Sequence, residues 1–350
     1  MTGTSWWRKD VFARRLPNLQ ARTRMLRTMR AFFEREGFQE VETPCLQVSP
    51  GLEPHLKAFR TMIEHPQGGP DRALYLHTSP EFAMKKLLVA GVPRLFQFAR
   101  VFRNGERSDT HHPEFTMLEW YRDGADYQDL IGDCEFLLRD TLNAAGHDRF
   151  RWRGREADPS LPFERLTVRE AFLRHAGIDL FAVIDDLSAF RAEAGRVGIR
   201  TQDDDAWDDV FFRIFLDRIE EKLGIGRPTI LMDYPVAMAA LSRPKPSDRR
   251  VAERFELYVC GLELANAFGE LTDPAEQARR FTADMDLKEK LYGERYPIDA
   301  DFLAALDEGL ADCAGIALGF DRLVMLSTHS EKIEDVLWAP VAASSGTLEA

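Results

Sequence analysis

Cysteine is scarce in this chain: there are four, Cys45, Cys134, Cys260 and Cys313, far apart and with no C-x-x-C pair. A disulfide framework or a cysteine-built zinc site is therefore not expected, and a reducing cytoplasm fits this usage best. There is no run of ~18 apolar residues to span a membrane. The first residues carry Trp6, Trp7, Arg8, Arg14 and Arg15 but lack the apolar core of a secretory signal. Positive charge is also in deficit, with 46 Lys and Arg against 58 Asp and Glu and a formal net charge of −12. That balance argues against nonspecific DNA or RNA binding, which needs a basic footprint, and permits attraction to a basic protein partner. No internal repeat or low-complexity segment is visible. What is present is ordinary for a soluble globular protein, 45% hydrophobic and 30% charged, in 350 residues that can bury a substantial core.

Residues 1–19 read as an irregular arm. From Gln20 to Glu36 the apolar positions Met25, Leu26, Met29, Phe32 and Phe33 recur at helical spacing, and Gly37 supplies the stop. Phe38 to Pro44 reads as a strand. A strand pair is expected at Lys57–Glu64 and Ala73–His77, and Ser79-Pro80-Glu81 opens a helix with Ser as cap and Pro at the first position. Strands at Arg94–Arg103 and Glu114–Tyr121 form a hairpin, followed by a helix from Tyr127 to about Ala145. Residues 146–227 turn acidic and helical and read as an insertion. Strands return at Thr229–Asp233, Arg254–Val259, Leu262–Phe268 and Gly315–Phe320. Such strands, separated by long helical stretches, predict an α+β fold with a mostly antiparallel sheet flanked by helices. The main domain is expected over 20–328, with a tail at 329–350.

Chemistry concentrates in three places. Phe102-Arg103-Asn104-Gly105-Glu106 runs through a charged loop to His112-Pro113-Glu114-Phe115-Thr116-Met117-Leu118-Glu119-Trp120-Tyr121. Downstream lie Arg254-Phe255-Glu256-Leu257-Tyr258 and Gly261-Leu262-Glu263-Leu264-Ala265-Asn266, and then Gly315-Ile316-Ala317-Leu318-Gly319-Phe320-Asp321-Arg322. An Arg at a strand end can bind phosphate oxygens bidentately, and a second Arg can stack on an aromatic base. The carboxylates Glu256 and Glu263 suit a hard cation such as Mg²⁺ on ATP oxygens. His111 and His112 are neighbours on extended chain and point apart, so a shared metal ion is not expected.

These segments resemble motifs 2 and 3 of the class II aminoacyl-tRNA synthetases, closest to the lysine-specific branch, and the helix–Gly–strand–Pro segment resembles motif 1, which builds the dimer interface in that class. The expected fold is the class II catalytic fold. Lysyl-tRNA synthetases carry an N-terminal oligonucleotide-binding barrel that reads the anticodon, and about twenty residues cannot make one. The whole pattern, from about Pro17 to Leu326, is similar to the elongation factor P–(R)-β-lysine ligase family. That resemblance implies ATP-dependent activation of (R)-β-lysine, transfer to a lysine ε-amine of elongation factor P, a homodimer, and no use of tRNA. The alternatives are a truncated tRNA-charging enzyme and a catalytically silent paralogue serving as a regulatory subunit.

The resemblance also assigns roles. Arg103, with Asn104, Gly105, His112, Leu264 and Gly319 nearby, would hold ATP, Arg103 meeting the α-phosphate. Arg322 and Phe115 would sandwich the adenine. Glu256 and Glu263 would be metal-associated. Ser79, Pro80 and Glu81 would lie at the α- or β-amino end of the substrate, Glu119, Tyr121 and Glu270 around the distal ammonium, and Asn266 on the carboxylate side. Three departures from the pattern stand out. Gly105 replaces a motif 2 Glu, so that Glu106 or backbone must serve instead. His112 stands where the family usually has Asn. Ala317 replaces a motif 3 Gly, and its methyl would disfavour an α-amino group on the pocket floor and favour a differently placed amine.

Overall fold

The computed structural model describes residues 6–341. Its centre is an eight-stranded sheet. In chain order its strands are β1 (Gln39–Glu40), β2 (Arg94–Phe102), β3 (Glu114–Asp123), β4 (Glu164–Thr167), β5 (Thr229–Met232), β6 (Arg254–Val259), β7 (Leu262–Gly269) and β8 (Cys313–Gly319). Across the sheet they run β1-β2-β3-β8-β7-β6-β5-β4, open at both edges. Only the outermost pairs, β1–β2 and β4–β5, are parallel; the pairs between are antiparallel. This is the expected α+β architecture.

Alternation along β3 explains what each face becomes. Leu118 and Trp120 point to one side, into a core with Met25, Met29 and Phe33 of helix α1 (Lys9–Arg35). Leu130, Leu137 and Leu138 of α3 (Tyr127–Ala145) join it, as do Leu323 and Val324 of a short helix (Phe320–Ser327) that follows β8. Phe115, Met117 and Tyr121 point to the other side and line a cavity. On that side α2 (Glu81–Val89) packs with α7 (Pro274–Tyr292) and α8 (Ala300–Gly309) through Phe82, Phe281 and Phe302, in one cluster with Tyr121. The helices α4 (Val168–Ala176), α5 (Leu187–Arg196) and α6 (Trp207–Ile214) close a further core around Phe172, Phe190 and Phe211.

Several element boundaries differ from the sequence reading, each for a physical reason. The first helix starts at Lys9, not Gln20, and runs through Pro17. Its early turns are held by tertiary contacts: Asn18 Nδ2 donates to Ser330 Oγ at 2.9 Å and the Arg15 guanidinium to the Leu337 carbonyl. Packing of this kind overrides the local penalty of a proline. The strand after Gly37 is only two residues long. Residues 146–227 are not wholly helical, since Phe150–Trp152 and Arg155–Ala157 pair as a hairpin and β4 joins the main sheet. Part of the expected tail, 342–350, lies outside the described residues. Among the described residues no helix is long and apolar enough to cross a membrane.

Candidate active site

The antiparallel register sets side chains in rows across the sheet. One row reads Gln97, Glu119, Ala317, Asn266 and Glu256 on five adjacent strands; the row beside it reads Tyr121, Gly315, Phe268 and Arg254. Above them lies a cavity of about 530 Å³ lined by Ser79, Glu81, Arg103, Phe115, Tyr121, Glu263, Asn266, Glu270, Ala317 and Arg322, among others. Its size suits a nucleotide-sized ligand. Gly315 is required on its floor, because a Cβ there would come within 2.4 Å of both the Tyr121 ring and Glu270 Oε1.

At one end the cavity is lined by the carboxylates of Glu81 and Glu270, and Lys85 packs behind them. Glu270 is fully buried, and its Oε1 has no hydrogen-bond partner. Lys85 Nζ lies 2.5 Å from Glu270 Oε2 as an ion pair and donates to Glu81 Oε1 at 2.5 Å. Burial alone would favour a neutral Lys85 amine, but Glu270 and Glu81 drive its pKa above the ordinary lysine value. Burial pushes Glu270 up to about 8 against the pull of Lys85. Glu119 is also raised to about 8, by burial and then by Glu81. Glu119 stands behind the cavity wall, however, not in it. Ser79 Oγ donates to its Oε1 at 2.7 Å and Tyr121 Oη to its Oε2 at 2.8 Å. Of the three side chains expected around a distal ammonium, Tyr121 and Glu270 line the cavity, while Glu119 is held behind it by Ser79 and Tyr121. A buried acid with an oxygen still unpartnered is favoured to accept a further donor.

The other end is cationic. The Arg103 Nε is buried without a partner, and its guanidinium lies 5.2 Å from the Phe115 ring centroid. Glu106, the residue after the Gly105 departure, also lines the cavity, 4.0 Å from Arg103 Nη1. Gly105 has φ of +85°, a turn conformation that glycine adopts without strain. Arg322 donates to the Glu263 carbonyl at 2.9 Å and lies 2.6 Å from His111 Nε2. Burial, then Arg322, keeps His111 below its ordinary pKa, so the neutral ring accepts. His112 turns the other way, to the Glu114 carbonyl at 2.6 Å, and accepts from the Val341 amide at 3.1 Å.

A tight hairpin places the paired carboxylates. Cys260 and Gly261 both have positive φ, the mark of a two-residue turn matched to sheet twist. The register then shifts near Leu257 and Tyr258, leaving an extra residue on β7. A bulge re-aims side chains, and here both Glu263 and Leu264 face the cavity. Glu263 is pushed up to about 7, by burial and then by the charge of Glu256. Glu256 sits deeper, accepting from Tyr234 Oη at 2.6 Å, Tyr258 Oη at 2.5 Å and Arg254 Nη2 at 2.5 Å. A carboxylate at the cavity wall, Glu263, with a buried one, Glu256, behind it fits a divalent cation shared with phosphate oxygens. Among the described residues, no three His, Cys, Asp or Glu side chains gather as an all-protein metal site.

Thirteen of the expected residues line this one cavity: Ser79, Glu81, Arg103, His112, Phe115, Tyr121, Glu263, Leu264, Asn266, Glu270, Ala317, Gly319 and Arg322. Pro80, Asn104, Gly105, Glu119 and Glu256 are not on its wall. Three residues escaped the sequence reading. Lys85 was detectable as the i+4 partner of Glu81 on one helix face. Glu53 and Asp284, which also line the cavity, carry no local signal because only tertiary packing brings them there.

The sheet, its motif-bearing hairpin and the cavity define an amino-acid-activating catalytic domain, and the chain belongs to the class II tRNA synthetases (D, K and N), whose family model matches residues 10–342. Its relatives there include elongation factor P–(R)-β-lysine ligases. The Pseudoalteromonas translucida (strain TAC 125) ligase is 39% identical over 323 residues, 92% of this chain and 94% of the relative. The Klebsiella pneumoniae (strain 342) ligase is 39% identical over 338 residues, 96% and 98% of the two chains. That of Yersinia enterocolitica serotype O:8 is 38% identical over 345 residues, 97% and 99%.

Proposed function

We propose that this enzyme activates (R)-β-lysine with ATP as an aminoacyl adenylate and transfers it to a lysine ε-amino group of elongation factor P. The carrying observation is one cavity with a buried carboxylate at one end, Glu270, whose Oε1 has no partner beyond its Lys85 ion pair, and a buried unpaired guanidinium donor at the other, Arg103 Nε. Glu270 and Glu81 receive the two ammonium groups, which selects a dibasic substrate because an unpaired buried ammonium is strongly disfavoured. Arg103 receives the α-phosphate, where its fork stabilises charge that grows as pyrophosphate leaves. Arg322 and Phe115 flank the adenine. The substrate carboxylate lies over Ala317 and Asn266, between the two ends. Mg²⁺ would be held by Glu263, with Glu256 behind it, and when bound supplies charge neutralisation for the leaving pyrophosphate. Pairing with a second copy would cover Leu46, Val48, Met62 and Ile63, exposed in and beside the small sheet formed by Leu46–Gln47, Phe59–Ile63 and Arg72–Leu76. Incubation with ATP and labelled β-lysine tests the reading. Label should appear on elongation factor P; stable label on tRNA alone, with none on the protein, would establish a tRNA-charging enzyme instead. Arg103→Ala should lower ATP–pyrophosphate exchange by ~10²–10³-fold in a folded protein, and near-normal exchange would remove Arg103 from its role.

A further inference from the structure

Several residues of the same cavity's lining carry no role in the proposed activation step. Among them are Asp208 and Phe212, four residues apart on α6, Ala237, and Asp284 and Leu287 of α7. Phe212 is 44% exposed although its neighbours Phe211, Ile214 and Phe215 are buried, so the core does not account for it. Glu53 lines the same cavity, and its Oε2 is shut away from solvent without a partner. Burial and the charge of Glu81 push the Glu53 carboxyl up, while Arg103 and Lys288 pull it down. Asp284 rises to about 6 through burial and through Glu53. Lys288 pins the loop, donating to the Pro54 carbonyl at 3.0 Å and the Leu56 carbonyl at 2.7 Å. Glu53 therefore feels both Glu81, at the amine end, and Arg103, at the phosphate end.

We propose that these residues form a rim at which the acceptor lysine enters, with Phe212, Ala237 and Leu287 flanking its aliphatic stem and Glu53, backed by Asp284, receiving its ammonium and first proton. The assignment rests on the function proposed above. A lysine side chain is an apolar stem with a charged head, and the rim offers apolar walls leading to carboxylates. In the transfer step the ammonium gives one proton to the Glu53 carboxylate, and the neutral amine attacks the adenylate carbonyl. The new C–N bond forms, the C–O bond to the phosphoryl group breaks, and AMP leaves. The second nitrogen proton goes to the departing phosphate, so the products are the amide, protonated Glu53 and singly protonated AMP.

The test compares wild type, Phe212→Ser and Glu53→Gln, each given ATP and β-lysine and then either elongation factor P or hydroxylamine. Hydroxylamine is a small neutral nucleophile that needs neither rim nor proton acceptor. The ratio of protein labelling to hydroxamate should fall by about tenfold in Phe212→Ser and by ~10²-fold in Glu53→Gln. The Glu53→Gln transfer rate should also lose its dependence on pH in the acidic range. A ratio unchanged in either variant overturns the role given to that residue, and hydroxamate production shows that the variant still folds and makes adenylate. A wild-type enzyme that yields hydroxamate yet labels no protein overturns the acceptor reading itself.

Discussion

At the scale of single residues, the proposed function makes Ala317 the position expected to set selectivity among lysine isomers. It sits in the row between Glu119 and Asn266, on the cavity floor. Removing its methyl should raise use of α-lysine relative to β-lysine by up to ~10–100-fold in kcat/KM; an unchanged ratio in Ala317→Gly would reduce the residue to strand packing. The acids beside it make a second prediction, with a definite sign. Glu270, raised to about 8 chiefly by burial, binds an ammonium only when ionised. KM for β-lysine should therefore fall as pH rises toward 8, by up to about tenfold per pH unit well below that value, and binding near neutral pH should release protons to a weak buffer. The same raised value works against the folded state: the proton that Glu270 keeps when folded is lost on unfolding above the ordinary glutamate range. Stability from this group is full below that range and declines as pH climbs through about 8. A KM flat across this window would show that Glu270 does not meet the substrate amine.

At the scale of elements, Asp321 holds the motif-bearing segments together. Its carboxylate pairs with Arg22 of α1 and accepts from the Thr116 amide of β3 at 2.8 Å, and Arg22 in turn donates to Thr116 Oγ1 at 3.0 Å. All three side chains are buried. Asp321→Ala leaves Arg22 uncompensated, at a cost of ~3–5 kcal/mol, and should lower Tm measurably even if some activity survives. An unchanged melting curve would mean that the pair is not buried in solution. The Gly-x-x-x-Gly-x-Asp-Arg run was legible in the sequence, and so were the helix over 127–145 and the strand over 254–259, where period and breakers agree. Other features were not. The register shift that turns Glu263 toward the cavity follows from a turn at Cys260 and Gly261, and cysteine is no marker of a left-handed conformation. The helix through Pro17 depends on contacts more than three hundred residues away in sequence, and the withdrawal of Glu119 behind Ser79 and Tyr121 depends on where α2 docks. Local pattern carries no record of such choices.

At the scale of the whole molecule, the net charge of −12 acts on the two chemical halves in opposite senses. ATP is an anion approaching an anionic protein, so its association is slowed by the overall field and eased by screening. A lysine-bearing loop approaching the rim meets Asp208, Asp284 and Glu53, and attraction of that kind weakens once the Debye length falls to about 10 Å or less. Raising salt should therefore slow transfer to elongation factor P at limiting acceptor concentration, while the activation step holds steady or quickens. Rim charges act mainly on the association rate, so the loss should appear in kcat/KM for the acceptor and largely vanish at saturating acceptor. The measurement is a pair of salt titrations on one enzyme preparation, one reading pyrophosphate exchange and the other reading label on the protein. Parallel slopes in the two titrations would mean that the acidic surface merely solubilises the enzyme and does not guide its partner.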